Sequence, residues 1–315
     1  MTTPPPRVPG YRIRELLGVG ATSTVWRGVP RRRGPAVALK HVPHRLADAL
    51  PEAQALAALE HPNLITARAV HRLRASTVLV LDLAEGGTLD HLLARRRTLP
   101  PGEVVGALTP VAAALSAVHA AGLIHGDIHP ANILFGADGL PLLSDLGSAY
   151  WLDTEAPVAL PPPGFADPLV EQGYLTGQAG DVFGLAAVGY AALTGAALPT
   201  VAGAVPGQAQ ADREQRCAKA LSEVPEELRD LLLAGLSLDT SRRPSAAELA
   251  VRLRFAAPMS GVDLHAGRHT TLHPLPVITR GARVPVRAAE DRSRSRLRFR
   301  LPRSTRGRQQ LRPSR

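Results

Sequence analysis

The chain has 315 residues, 45% of them hydrophobic and 20% charged, which is room for one large domain or two ordinary ones with a buried core. Aromatics make up only 3%, so Ala, Leu and Val must fill that core. A lone cysteine, Cys217, excludes a disulfide scaffold and a cysteine-based zinc site. The Pro-rich residues 1–10 contain no apolar run of the secretory type.

The net charge of +10 is unevenly spread. Residues 256–315 hold 14 Arg against Asp263, Glu290 and Asp291, a net of +11, which leaves residues 1–255 at about −1. Lysine is almost absent: Lys40 and Lys219 stand against 35 Arg. A lysine at any given place is therefore rare in this chain.

Residues 1–10 are expected to be disordered. From 11 to 42 the pattern is strand-like. Tyr11, Ile13 and Glu15 alternate with Arg12 and Arg14, Gly18 and Gly20 interrupt, and Val25-Trp26-Arg27 resumes. Ala36-Val37-Ala38-Leu39-Lys40 is a third strand. Pro51-Glu52 opens a short helix through Leu56 and Leu59. Two more strands are expected near 67–73 and 77–81. Val104, Leu108, Val111, Leu115 and Val118 then mark a helix that Gly122 stops. Residues 182–198 are uncharged, which predicts a helix buried on all sides rather than a membrane span. Two amphipathic helices follow at 226–236 and 245–253. The fold class is α+β, with a small strand-rich lobe (11–84) and a larger helical lobe (85–256). An Arg-rich segment, 257–315, is expected to be disordered.

Four places carry chemistry. Gly18-Val19-Gly20-Ala21-Thr22-Ser23-Thr24-Val25 lies between two strands, where missing Cβ atoms let backbone N–H groups close over phosphates. Ser23 stands where a third glycine is usual, and no Gly-Lys-Ser/Thr of a P-loop follows. Lys40 ends an apolar strand, a place for a compact ammonium that meets phosphate oxygens. Glu52, twelve residues on, can pair with it. His125-Gly126-Asp127-Ile128-His129-Pro130-Ala131-Asn132 and Ser144-Asp145-Leu146-Gly147 put Asp and Asn at the ends of apolar strands, where a carboxylate can hold Mg²⁺.

These motifs, in this order, resemble a bacterial protein kinase of the eukaryotic (Hanks) serine/threonine type over residues 11–255. The resemblance implies ATP and Mg²⁺ as cofactors and a protein hydroxyl as acceptor. It implies nucleotide contacts from Leu17, Gly18, Val19, Gly20, Ala21, Val25, Ala38, Lys40, Glu52, Leu81, Asp82 and Ala84. Lys40 would bind phosphates and Glu52 would orient it, with Leu81 as gatekeeper. Asp127 would be the catalytic Asp, and Asn132 and Asp145 the metal ligands. Asp181 resembles the start of the buried central helix, and Arg243-Pro244 the last landmark.

Departures cluster on the acceptor side. The Arg of the HRD motif is Gly126, so a clamp for a phosphorylated activation loop is missing. The catalytic-loop Lys is His129, and the Thr before the APE motif is Pro162. APE reads Asp167-Pro168-Leu169, so Arg243 is expected to lose its acidic partner, with Glu171 as a substitute. His129, when protonated, would replace part of the missing lysine charge. The nucleotide half is thus intact and the peptide half eroded. Weak or selective catalysis is expected; a nucleotide-binding pseudokinase is the alternative, and a small-molecule phosphotransferase ranks third.

Ser148, Tyr150 and Thr154 are available for modification, without strong activation expected. His265, His269 and His273 fall at helical spacing but are expected to be solvated. The Arg-rich segment should attract an acidic partner: a membrane surface, nucleic acid or protein. With no transmembrane segment expected, a cytoplasmic location, peripheral at the membrane at most, follows.

Overall fold

The computed structural model describes residues 4–45, 47, 49–151, 161–171, 177–199 and 206–266. Thr154, His269, His273 and the Arg-rich residues 267–315 lie outside them. The N-terminal part is a five-stranded antiparallel sheet in the order β1-β2-β3-β5-β4. Its strands are β1 (Tyr11–Val19), β2 (Thr24–Pro30), β3 (Val37–Pro43), β4 (Ala67–Arg72) and β5 (Ser76–Asp82), with α1 (Leu50–Ala57) between β3 and β4.

Register sorts the side chains onto two faces, because directly opposed residues in antiparallel strands share a face. Trp26 opposes Leu39, and Leu39 opposes Val80. These three bury with Val8, Val37 and Val78 in one apolar cluster. The other face carries Val25, Lys40 and Leu79 in one row and Arg27, Ala38 and Leu81 in the next. On that face α1 packs, with Ala49 and Ala53 against Val42 and Leu79.

The C-terminal part is mainly helical. β6 (Gly87–Thr88) leads into α2 (Leu89–Arg96), N-capped by Thr88, whose hydroxyl accepts from His91 N at 3.1 Å. α3 (Pro101–Ala120) follows, then the short strands β7 (Leu123–Ile124), β8 (Ile133–Phe135), β9 (Pro141–Leu143) and β10 (Tyr150–Trp151). β6, β8 and β9 form one small sheet, and β7 and β10 pair in another. α4 (Pro168–Glu171), α5 (Gly177–Thr194), α6 (Pro206–Ala220), α7 (Glu226–Gly235) and α8 (Ala246–Ala256) complete the order. A capping box of Ser245 and Glu248 starts α8.

Residues 181–192 of α5 are all buried, as the uncharged run predicts. The helix starts earlier than that run and ends at Thr194. Among the described residues one helix, α3, is long and apolar enough to cross a membrane. It packs against α5, α8 and β9 in the core.

Two boundary expectations need correction. Residues 4–10 are not free of the fold: Val8 is buried in the sheet's apolar cluster, and Arg31 N donates to Gly10 O at 2.8 Å. The helical part does not end at 256 either. Residues 257–266 pack back across α3 and α2, and Leu264 is only 7% exposed. Loss of helical periodicity is the right observation there. Disorder does not follow from it, because an extended segment can take its hydrogen bonds from a neighbouring helix.

Candidate active site

Lys40 reaches inward from β3 and is buried. Its Nζ donates to Glu52 Oε1 at 2.7 Å, to Glu52 Oε2 at 2.8 Å and to Asp145 Oδ1 at 2.7 Å. Three separate elements meet at this atom: β3, α1 and the turn after β9. Pro51 in the first turn of α1 is compatible with helix geometry and places Glu52 on the face turned to β3. Asp145 has left-handed backbone (φ 65, ψ 73) and N-caps a 3₁₀ turn, accepting from Gly147 N at 3.0 Å. The next residue, Leu146, buries in the helical core together with Leu56 of α1.

Burial alone would push the Lys40 ammonium down, but the carboxylates of Asp145 and Glu52 outweigh it and hold it above its ordinary value. Burial would likewise raise Asp145; the Lys40 charge beside it wins and holds that carboxyl below the ordinary range. Glu52 is pushed up by its burial, partly offset by Lys40.

A group whose folded pKa is depressed contributes stability above its unfolded value of about 3.9 and loses it as pH falls toward the folded one. Asp145→Asn removes that contribution. The gap in unfolding free energy between the native chain and Asp145→Asn should therefore narrow as pH drops from about 6 to about 3, measured by denaturant unfolding. A pH-independent gap would mean that the carboxylate's charge is not what stabilises this contact.

The loop from His125 to Asn132 is held from below by Asp181 of α5. Asp181 Oδ2 accepts from His125 N and Oδ1 from Gly126 N, both at 2.8 Å, and His119 Nε2 lies 2.8 Å from Oδ2. The His125 ring bridges Asp127 N (3.3 Å to Nδ1) and Ser144 O (3.0 Å from Nε2). Nδ1 therefore accepts and Nε2 donates. Asp127 is buried. Asn132 Nδ2 donates to Asp127 O at 2.8 Å and lies 3.3 Å from Asp127 Oδ2. With its amide hydrogens so used, the Asn132 carbonyl oxygen is the atom open to a cation. A carboxylate and an amide oxygen suit Mg²⁺, which takes its other ligands from phosphates and water.

On the cleft face of the sheet, register brings together Val25, Ala38, Lys40 and Leu81, and pairs Gly18 with Val25. Leu17 and Ala84 are half-buried; Val19 and Ala21 are exposed at the loop tip. Gly20 N donates to Ser23 O at 2.8 Å, closing the loop. Nothing in the protein lies within 4 Å of where a Cβ at Gly18 would sit. The protein's own packing thus leaves that space open, as a close-lying phosphate requires. The Asp82 side chain pairs with Arg68, so a contact from Asp82 to a nucleotide would come from its backbone.

At the acceptor side, Gly126 has φ +74, and a Cβ there would lie 3.0 Å from Ser148 O and 3.4 Å from the Tyr150 ring. The absence of a side chain is built into the backbone. His129 Nε2 is 3.6 Å from Asp127 Oδ1. Pro162 O accepts from Phe165 N at 3.0 Å in a turn. The expectation that Arg243 loses its acid does not hold. Its Nη1 pairs with Asp167 Oδ2 in full burial, and its Nε donates to Ser237 O at 2.7 Å. The Glu171 side chain lies outside the described residues.

The protein kinase domain model matches residues 11–253. This chain belongs to the protein kinase family. The chain is 32% identical over 270 aligned residues to serine/threonine-protein kinase PkaB of Streptomyces coelicolor, covering 79% of this chain and 63% of that protein. It shares 39% over 144 residues with PknL of Mycobacterium tuberculosis, covering 44% and 36%. With PkaA of Streptomyces coelicolor it shares 31% over 281 residues, covering 81% and 51%. The chain thus spans between about a third and two thirds of the length of these curated relatives.

Several residues of this kinase domain escape a reading of the sequence. His119 is one apolar-face position of α3 among many until Asp181 is seen beside it. Arg27 alternates as any strand residue does. Its Nη2 nevertheless donates to Glu85 Oε1 at 2.9 Å, which ties β2 to the segment linking sheet and helices. Asp167 carries no local mark of its partner, 76 residues away.

Proposed function

We propose that this chain transfers the γ-phosphoryl group of ATP, with Mg²⁺, to a serine or threonine hydroxyl of a protein. The observation that carries the reading is the convergence of Glu52 and Asp145 on Lys40, which pairs in register with Val25 after the glycine loop, while Asn132 bonds both Asp127 and the backbone of Ser144, the residue before Asp145. Leu17, Val25, Ala38 and Leu81 form the apolar walls for adenine, and Ala84 and the Asp82 backbone its edge. Lys40, kept charged by its two carboxylates, grips the α- and β-phosphates. Asn132 and Asp145 would hold Mg²⁺, which supplies neutralisation of the phosphate charge.

Asp127 orients the acceptor hydroxyl and takes its proton as the new O–P bond forms and the bond to ADP breaks. The His129 imidazole faces the same carboxylate at 3.6 Å. When protonated, it supplies the positive charge that the family's lysine gives. Phosphoryl transfer needs positioning and charge neutralisation more than covalent help. The losses at Gly126 and Pro162 therefore bear on activation and acceptor choice rather than on the reacting atoms. Relatives bearing the serine/threonine-protein kinase name support the acceptor class.

The test is transfer from γ-labelled ATP with Mg²⁺, to the chain itself and to a general protein acceptor. Native protein should incorporate label, and Lys40→Met should lose at least about 10²-fold of it. Tight nucleotide binding without any transfer would make the chain a nucleotide-binding switch instead.

A further inference from the structure

Beyond the family match, which ends at residue 253, residues 257–266 form a strap that returns from α8 toward the nucleotide cleft. It lies on α3 where two glycines, one turn apart, leave the helix surface bare. A Cβ on Gly102 would come within 2.6 Å of Pro258 O, and one on Gly106 within 2.0 Å of Ser260 O. Ser260 N donates to Gly102 O at 3.0 Å. Further on, the strap is hooked by an ion pair. Arg96 of α2 and Glu103 of α3 meet at 2.6 Å, and both also bind strap backbone. Glu103 Oε2 accepts from Asp263 N at 3.1 Å, and Arg96 Nη1 donates to Asp263 O at 3.0 Å. Arg95 donates to Leu264 O at 3.2 Å.

These hooks deliver one side chain, Leu264, to Gly86. A Cβ on Gly86 would sit 2.8 Å from Leu264 Cδ1 and 2.7 Å from Phe135 Cβ. Gly86 N donates to Phe135 O at 2.8 Å. Leu264 and Phe135 thus enclose Gly86. The residue before it, Glu85, is held from the other side by Arg27 of β2. The connection between sheet and helices is therefore touched from two sides at neighbouring residues, Glu85 and Gly86. Arg27 restrains it from the sheet, and Leu264 restrains it from a segment more than 170 residues away in sequence.

We infer that Leu264 is a positioning residue for nucleotide binding, acting through Gly86 on the linking segment that carries Ala84 and Asp82. The inference rests on the proposed ATP site. Shortening Leu264 leaves a void beside Gly86, so the linking segment gains freedom that nucleotide binding must remove. Affinity falls, while chemistry on bound nucleotide, which depends on Lys40 and Asp127, is unaffected.

The experiment titrates full-length protein with a fluorescent N-methylanthraniloyl ATP in Mg²⁺ buffer. Leu264→Ala should raise Kd by about three- to tenfold and leave kcat at saturating ATP within about twofold. Leu264→Met should restore native affinity. The control is Leu253→Ala, a leucine of α8 in the same core and buried even more fully than Leu264, which costs stability without touching Gly86. Equal Kd changes in the two alanine variants, or none in Leu264→Ala, would overturn the inference. Should Leu264→Ala prove too unstable to purify, Leu264→Val serves the same comparison.

A second readout does not need nucleotide binding. Hydrogen exchange at the Gly86 amide should quicken in Leu264→Ala and not in Leu253→Ala. If native protein binds no nucleotide, the proposed function fails, and this exchange comparison alone decides whether Leu264 holds the linking segment; equal exchange in the two variants ends the idea.

Discussion

Asp127→Asn is expected to slow phosphoryl transfer by about 10²–10⁴-fold while nucleotide affinity stays within about twofold. The substitution keeps shape and removes charge. Asp127 is buried, and its carboxylate lies 3.3 Å from Asn132 Nδ2 and 3.6 Å from His129 Nε2, whereas Lys40 Nζ is bonded to Glu52 and Asp145. Nucleotide should therefore still bind between Val25, Ala38, Leu81 and Lys40. What disappears is the carboxylate that, in the proposed mechanism, orients the hydroxyl and receives its proton. Single-turnover transfer beside equilibrium nucleotide titration separates the two effects. Transfer within tenfold of native would remove Asp127 from the reaction. A parallel loss of binding would place it in the nucleotide site instead.

That such a prediction can be made reflects which residues the chemistry itself selects. Lys40 stands out because this composition has nearly eliminated lysine, and an ammonium on an apolar strand needs a reason. Asp127, Asn132 and Asp145 can be picked out in the sequence as oxygen-bearing side chains flanking short apolar strands, and the fold brings Asn132 onto Asp127 and Asp145 onto Lys40. The strands and the buried α5 are legible through periodicity and the absence of charge. Long-range pairings are another matter. Val8 is a single apolar residue in a Pro-rich start, with nothing to announce that it seals the outer face of the sheet. The strap has neither helical nor strand period, and its hydrogen bonds come from Gly102, Glu103 and Arg96, about 160 residues earlier. Its burial is decided by the bare surface of another helix, which no local window contains.

Arg243 is the sharpest case, because there the sequence predicts a loss and the fold repairs it. Replacing the acid of the APE motif by Leu169 should leave a buried guanidinium uncompensated. Asp167, two residues earlier, supplies the carboxylate. One of its oxygens pairs with Arg243 Nη1, and the other accepts from Leu169 N at 3.0 Å at the start of α4. A single short side chain thus caps the helix and neutralises the charge. The repair is incomplete: among the described residues Arg243 Nη2 is buried without a hydrogen-bond partner. The Arg243 guanidinium lies 5.1 Å from the Phe183 ring centroid, where the ring face adds some attraction.

Asp167→Ala is accordingly expected to destabilise the fold by about 3–5 kcal/mol, because both partners of this pair are out of solvent and Arg243 would remain buried and charged. In a chain of this size that lowers Tm by roughly 6–20 °C. Asp167→Asn keeps an N-capping side chain and removes only the charge, so it should fall between native and alanine. Asp167→Ala combined with Leu169→Glu puts an acid back at the family's position and should regain part of the loss. Denaturant unfolding of the three variants measures the series. A cost below about 1 kcal/mol for Asp167→Ala would mean that Arg243 is held without its acid by Ser237, by Phe183 and by Ala179 O, which accepts from Arg243 Nη1 at 2.9 Å. If Leu169→Glu gives no recovery, the carboxylate at 167 serves α4 rather than the arginine, and the anchoring of the segment between α4 and the catalytic loop must be sought elsewhere.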